Sequence, residues 1–275
     1  MISTPSSPNE TARNSADPAE IERFAAVAGA WWDPEGEFKP LHRLNPVRLT
    51  FIRDRLARRF GRDIRAKRPF EGVRLLDIGC GGGLVAEPLA RLGFTVTGVD
   101  AAAEGIEVAR AHAAAQGLTI DYRHGTAEAL LAGGERFDAV TALEIVEHVV
   151  APASFLDTVG TLVAPGGAVV LSTINRTPKA WALGIVGAEY VLRWIPRGTH
   201  RWSKFLKPSE LAAAVRGAGL ELGELAGMSF DPLAGEWALT HDLGINYLML
   251  ATKRGSSGTD LVGRPRSGNH GSPTG

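Results

Sequence analysis

The stretch LLDIGCGGG, Leu75 to Gly83, followed by TVTGVD ending at Asp100, constrains the fold more than any other part of the chain. Apolar residues running up to a cluster of glycines read as a parallel strand covered on both faces, and the glycine turn lets a ligand approach the backbone where any Cβ would collide. Asp100 lies 21 positions beyond Gly79, close to the roughly 20-residue spacing at which the carboxylate ending a second strand meets the hydroxyl pair of a ribose. The pattern predicts a nucleoside-bearing ligand at the carboxyl edge of a parallel sheet.

Two common phosphate-binding patterns fail here. Counting from Gly79, the third glycine of the dinucleotide fingerprint G-x-G-x-x-G/A falls on Leu84. No Lys-Ser or Lys-Thr follows the glycines, so a P-loop is absent as well. The set Asp77, Gly79 and Gly81, a D-x-G-x-G pattern, together with the spacing to Asp100, resembles motif I of the class I S-adenosylmethionine-dependent methyltransferases. That resemblance implies a cofactor with a ribose and an amino-acid tail but no pyrophosphate.

At 275 residues with 44% hydrophobic content, the chain can bury a large core, and one α/β domain with tails is the simplest reading. Thirty basic and thirty acidic residues cancel, so no global field recruits nucleic acid. The lone cysteine, Cys80, excludes an internal disulfide and fits a reducing cytoplasm. It reads as a small residue tolerated near the cofactor rather than a reactive thiol. Residues 1–18, rich in Ser, Pro, Asn and Ala, predict a disordered tail that is neither secretory signal nor transit peptide, and residues 254–275 predict a second, Gly- and Ser-rich tail.

Between the tails, strands alternate with helical patterns. The expected fold is Rossmann-like: a seven-stranded, mostly parallel sheet with helices on both faces. The strands are expected near Val73–Ile78, Thr95–Val99, Thr119–Tyr122, Asp138–Ala142, Ala168–Thr173, Leu220–Ala226 and Ile245–Thr252, with helices over Glu104–Gln116 and Pro152–Leu162. The domain spans residues 19–253, with an N-terminal lid over about 19–60 and an apolar insertion over about 174–206.

Strand four ends in FDAVTALEIVEHV. On a helix opening after it, Glu144, Glu147 and His148 stand at i, i+3 and i+4 and share one face. Two carboxylates and an imidazole could hold a divalent cation with open water positions, magnesium or a softer metal such as zinc. The alternative is metal-free, with the histidine as base or substrate contact. Transfer of a methyl group to oxygen is an in-line displacement, and an aromatic hydroxyl with a pKa near 10 becomes a competent nucleophile as it loses its proton. His148 and Glu144 are the candidate catalytic residues.

Several segments together narrow the resemblance: FAAVAGAWWDPEGEFKPLHRLNPVRLTFI from Phe24, LEIVEHV, STINRTPKAW from Ser172, VGAEYVLRWIPRGTH to His200, and KFLKPSEL to Leu211. Over about Ile21 to Thr252 the chain resembles the ubiquinone biosynthesis O-methyltransferases. The resemblance implies methylation of hydroxyls on polyprenylated phenols and catechols, with magnesium at Glu144, Glu147 and His148. It implies cofactor contacts from Arg48, Gly79, Gly81, Asp100 and Leu143, and association with other proteins of ubiquinone biosynthesis. Arg48 is expected to pair with the cofactor's carboxylate. Leu143 stands where methionine is common and keeps similar bulk. The alternatives are a methyltransferase on another small phenol or acid, and a non-catalytic lipid-binding module.

Trp31 and Trp32, followed by Asp33, Pro34 and Gly36, suggest a helix that ends in a turn and lays aromatic bulk over the cleft as a lid. Pro178 to Pro196 is apolar on nearly all sides, carries Trp181, Tyr190 and Trp194, and is flanked by arginines and lysines. It reads as an interfacial segment lying on an anionic lipid surface, which places the protein in the cytoplasm, peripherally on the inner membrane. A helical cap packed wholly on the sheet is the other reading.

Overall fold

The apolar run before the glycines forms β1 (Arg74–Ile78), whose last four residues are buried, as expected of a strand covered on both faces. The computed structural model describes residues 15–182, 202–231 and 236–255. Parallel to β1 lie β2 (Thr95–Asp100), β3 (Asp121–His124), β4 (Phe137–Leu143) and β5 (Val163–Ile174), and β6 (Glu221–Asp231), β7 (Glu236–Thr240) and β8 (Asn246–Thr252), each antiparallel to its neighbours, complete the sheet. The order is β3-β2-β1-β4-β5-β8-β6-β7. The direction of strand addition reverses between β1 and β4, and that switch point is where doubly wound sheets bind ligands.

The Rossmann-like class holds, but the expected seven strands become eight among the described residues. The added strand, β7, is absent from the expected set because EWALT is short and carries little strand pattern of its own. Pairing with β6, from Gly227 opposite Thr240 to Asp231 opposite Glu236, supplies what its own sequence lacks.

Helices cover both faces. On one lies α2 (Lys39–Phe60), which buries Phe51, Ile52 and Leu56 against the sheet, beside α3 (Ala86–Arg91) and α4 (Ala103–Ala115). The other face takes α5 (Ala127–Ala132), α6 (Pro152–Leu162) and α8 (Pro208–Gly217), through Leu130, Phe155, Leu156, Leu211 and Val215. Each such side chain contributes about 1.5–3 kcal/mol by leaving water, which fixes the sheet's upper edge as a rigid platform.

The first residues described are docked. Ala16 bridges Val149, Asp17 caps α1 (Pro18–Ala26) by accepting from the Ala19 amide at 3.1 Å, and Lys204 reaches Asp17 at 3.1 Å. Residues 15–18, placed in a tail by composition, therefore belong to the fold; residues 1–14 and 256–275 lie outside the described residues. The tryptophan pair ends the short 3-10 helix Ala28–Ala30, which Trp31 caps, in a turn ahead of α2. Of the apolar insertion, Pro178–Ala180 forms the single turn α7 and Trp181 is 48% exposed, while residues 183–201 lie outside the described residues. Among the described residues, no helix is long and apolar enough to cross a membrane.

Candidate active site

At the carboxyl ends of the strands lies a cavity of about 930 Å³ whose lining is mostly apolar and includes Asp77, Gly79, Gly81, Asp100, Leu143, Glu144, Glu147, His148 and Arg48. Every residue the sequence assigned to cofactor or chemistry reaches this one space.

At one end is the glycine turn. Gly81 has φ +49°, and a Cβ there would lie 2.3 Å from the Trp31 ring. Only glycine allows the tryptophan this close. Trp31 is in turn stacked on Phe38 with centroids 3.8 Å apart. Trp32 donates its indole N–H to the Gly82 carbonyl at 2.9 Å and stacks on His112, which sits 2.7 Å from Glu87. The N-terminal segment is thus fastened to the turn. Asp100 accepts from the Gly81 amide at 2.9 Å and the Ala102 amide at 2.8 Å. Burial raises its pKa against these hydrogen bonds. Cys80 is buried beside it, and burial first, then the neighbouring carboxylates, push the thiol well above its ordinary range. Such a thiol is no nucleophile.

Asp77 lies below the turn, buried, with Oδ1 accepting from the Thr141 hydroxyl at 2.7 Å and Oδ2 buried without a partner. Burial lifts its pKa to about 7, opposed by the Thr141 hydrogen bond and reinforced by Asp100. The folded protein thus holds a proton that the unfolded chain releases near pH 4. The contribution is favourable below pH 4 and is lost as pH rises to 7, a swing of up to about 4 kcal/mol. We expect Asp77→Asn to flatten the decline of the cofactor-free protein's thermal midpoint between pH 4.5 and 7.5. An unchanged slope would show that other groups set it.

The acidic segment departs from expectation. Residues 144–148 form an irregular turn, not a helix, and Glu144 has φ +54°, alone among the described non-glycine residues in being positive. That backbone is strained, and strain of this kind clusters at functional sites. Glu144 is held by Arg48, whose Nη2 donates at 2.8 Å, and by the Ser172 hydroxyl at 2.8 Å. Arg48 is 3% exposed and its Nε has no partner. Glu144 is thus its side-chain partner, and Arg48 also lines the cavity.

Glu147 is buried, takes a hydrogen bond from Thr173 at 2.8 Å, and leaves Oε1 without a partner. Burial first, then the charge of Glu144, raises its pKa well above the carboxylate range. His148 turns elsewhere: its Nδ1 lies 3.1 Å from Glu20 of α1, and its ring meets Phe24 edge-on at 5.7 Å. Burial alone would raise the pKa of Glu20, but His148 and neighbouring cations bring it below the usual value. The expected metal trio is therefore not assembled: Glu144 and Glu147 are neighbours, and His148 is drawn to Glu20. Among the described residues, no three His, Cys, Asp or Glu side chains are placed to hold a metal ion. A helix would have aligned the three; the turn separates them.

Sequence reasoning missed Glu20, Ser172 and Thr173. Ser172 was legible in principle, because adjacent parallel strands place it opposite Leu143. Glu20 sits 128 positions from His148 with no local signal linking them.

Residues 45–225 match the family model described as a methyltransferase domain. The chain is 56% identical over 240 residues to a ubiquinone biosynthesis O-methyltransferase of Azorhizobium caulinodans, covering 87% of this chain and 95% of that protein. It is 53% identical to the enzyme of that name from Mesorhizobium japonicum, covering 89% and 98%. Among solved structures, magnesium protoporphyrin IX methyltransferase from Synechocystis with bound SAH aligns with a TM-score of 0.57 at 16% identity, over 89% of this chain and 98% of that one. At that identity the likeness speaks for the fold alone. The strand order, the glycine turn closed by Asp100 and relatives more than half identical converge on one conclusion: the chain belongs to the ubiquinone biosynthesis O-methyltransferases.

Proposed function

We propose that the chain moves a methyl group from S-adenosylmethionine to a ring hydroxyl of a polyprenyl phenol or catechol in ubiquinone assembly, with His148 as the base. The observation that carries this reading is the Glu20–His148 pair in the wall of the cavity that also holds the glycine turn. S-adenosylmethionine, when bound, supplies an electrophilic methyl on a sulfonium. For its ribose, Asp100 has lone pairs beyond the two that its backbone donors use. Unpartnered Asp77 Oδ2 suits its ammonium, and the remaining donors of Arg48 suit its carboxylate. Gly79 and Gly81 let it approach, and Leu143 offers an apolar contact.

Glu20, by accepting from Nδ1, leaves Nε2 of His148 to take the hydroxyl proton and then steadies the imidazolium. The oxygen, now anionic, attacks the methyl in line; apolar walls from Trp31, Phe24 and Leu44 keep water away, so that opposite charges neutralise in a dry site. Glu20→Gln should lower kcat about tenfold, the usual effect of losing a partner that orients a histidine, with little change in KM for the cofactor and partial rescue by Glu20→Asp. A rise in KM with kcat intact would reduce Glu20 to a lid contact.

Magnesium enters the same reading at Glu144 and Glu147. Two neighbouring carboxylates, Glu147 buried with one oxygen unpartnered and Glu144 partly exposed, fit a divalent cation, which when bound would supply Lewis-acid help to the adjacent oxygens of a catechol. Peripheral docking on anionic lipid, with exposed Trp181 beside Lys179, belongs to this proposal too. So do the single domain over residues 19–253 with its lid and insertion, a place on the cytoplasmic face of the inner membrane, and association with other proteins of ubiquinone assembly.

The decisive experiment is transfer of labelled methyl to a short-tailed polyprenyl catechol, with magnesium or chelator, in the presence of anionic vesicles. Labelled methyl ether is expected. Product that persists in chelator removes magnesium and keeps His148 as base. Bound cofactor with no product on this catechol sinks the substrate assignment, and turnover on a tail-less phenol or acid then favours the other small acceptors.

A further inference from the structure

The cavity extends well past the chemistry. It runs from Asp100 at the end of β2 to Trp237 in β7. In the observed order this crosses six strand-to-strand steps, roughly 29 Å at about 4.8 Å per step. The polar groups that suit a nucleoside stand at the β2 and β1 end; Arg48 and Glu144 form the ion pair midway. Beyond them, the far end is walled by Ile174, Ile245, Phe230 and Trp237, with Leu44 of α2 lining the same cavity.

Phe230 and Trp237 face each other across the β6–β7 ladder, with ring centroids 5.7 Å apart and planes at 54°. Cross-strand aromatic pairs of this kind hold their geometry through packing rather than hydrogen bonding. Trp237 also packs against the core that contains Leu44, Val47 and Phe51 of α2. The pair is therefore fixed in place, not a loose surface contact. A nucleoside cofactor and a single aromatic ring give no use for this region, because neither reaches it from the glycine turn and the ion pair.

We infer that Phe230 and Trp237, with Ile174, Ile245 and Leu44, form the slot that receives the hydrocarbon chain of the acceptor and so set the enzyme's preference for tailed over tail-less substrates. This rests on the proposed function for the identity of the acceptor. A chain of prenyl units carries no hydrogen-bonding group, so only apolar and aromatic walls can select it, and the same cavity is lined by Glu144 and His148, where its aromatic head would react. Strand β7 thereby acquires a role as the specificity wall.

The test compares two catechols, one tail-less and one bearing a short prenyl chain, on wild-type protein and on Phe230→Ala, Trp237→Ala and the double variant. The ratio of kcat/KM for the tailed to the tail-less acceptor is expected to fall about tenfold or more in the double variant, chiefly through KM, as loss of two aromatic walls implies. A ratio that stays at the wild-type value, whether both rates hold or both fall together, overturns the slot. A second measurement separates this from the acceptor assignment: binding of a prenyl alcohol of three isoprene units, which has the chain and no aromatic ring. Binding to the wild type that weakens about tenfold in the double variant upholds the slot even if no catechol is methylated, and equal binding by both proteins, or by neither, overturns it. Circular dichroism and cofactor affinity of each variant confirm that a changed ratio does not come from unfolding of the hairpin.

Discussion

His148→Ala is expected to lower kcat by about two to four orders of magnitude, the range in which a positioned general base contributes. Cofactor affinity should stay within about twofold, because the His148 ring meets Glu20 and Phe24 rather than the glycine turn. Single-turnover methyl transfer, with cofactor binding followed separately by calorimetry, isolates the effect on chemistry. A loss of less than about fivefold would mean that the hydroxyl reaches the site already ionised, which moves the weight of catalysis to the Glu144–Glu147 pair. Because Glu20 acts through His148, the double variant Glu20→Gln, His148→Ala should be no slower than His148→Ala alone.

The second large effect is on cofactor capture. Asp100→Ala should weaken S-adenosylmethionine binding by at least two orders of magnitude. Two ribose hydroxyls lose a charged acceptor, each such bond contributing about 1.5–3 kcal/mol. The amides of Gly81 and Ala102 lose theirs as well, so the turn itself is released. Asp100→Asn separates the two parts, since its carbonyl oxygen can still accept from one amide; its affinity should fall between those of wild type and Asp100→Ala. Because burial raises the pKa of Asp100, wild-type affinity should also decline as pH falls through that group's range, and the decline should be shallower in Asp100→Asn, where Asp77 still titrates. Unchanged affinity in Asp100→Ala would refute the ribose contact.

What was legible in the sequence follows from range. Patterns that act within about twenty residues were sufficient for β1, the glycine turn and the acid closing β2, since strand periodicity and glycine geometry are local. The helix over Pro152–Leu162 was read to the residue for the same reason. The helix read into LEIVEHV failed because i, i+3, i+4 spacing holds only if the backbone is helical, and here Ser172 hydrogen bonds to Glu144 in a conformation with positive φ. Glu20 and Arg48 acquire their partners from 128 and 96 positions away, and such pairs arise from the sheet's assembly rather than from any short segment. Strand β7 was hidden because EWALT has little propensity apart from its neighbour.

The place of β8 carries a consequence for how the molecule comes into being. The last of the described strands lies inside the sheet, between β5 and β6. Until Asn246 to Thr252 have been synthesised, β5 has an open edge and the β6–β7 hairpin has nothing to join, so the nascent sheet exists as two separate pieces. The pairings that unite them, Ala168 with Thr252 and Glu221 with Thr252 among them, link distant positions and close slowly. During that interval the apolar edge of β5 is the surface most open to wrong partners. Substitutions in β8 should therefore diminish the yield of folded protein out of proportion to their effect on the finished enzyme's melting temperature.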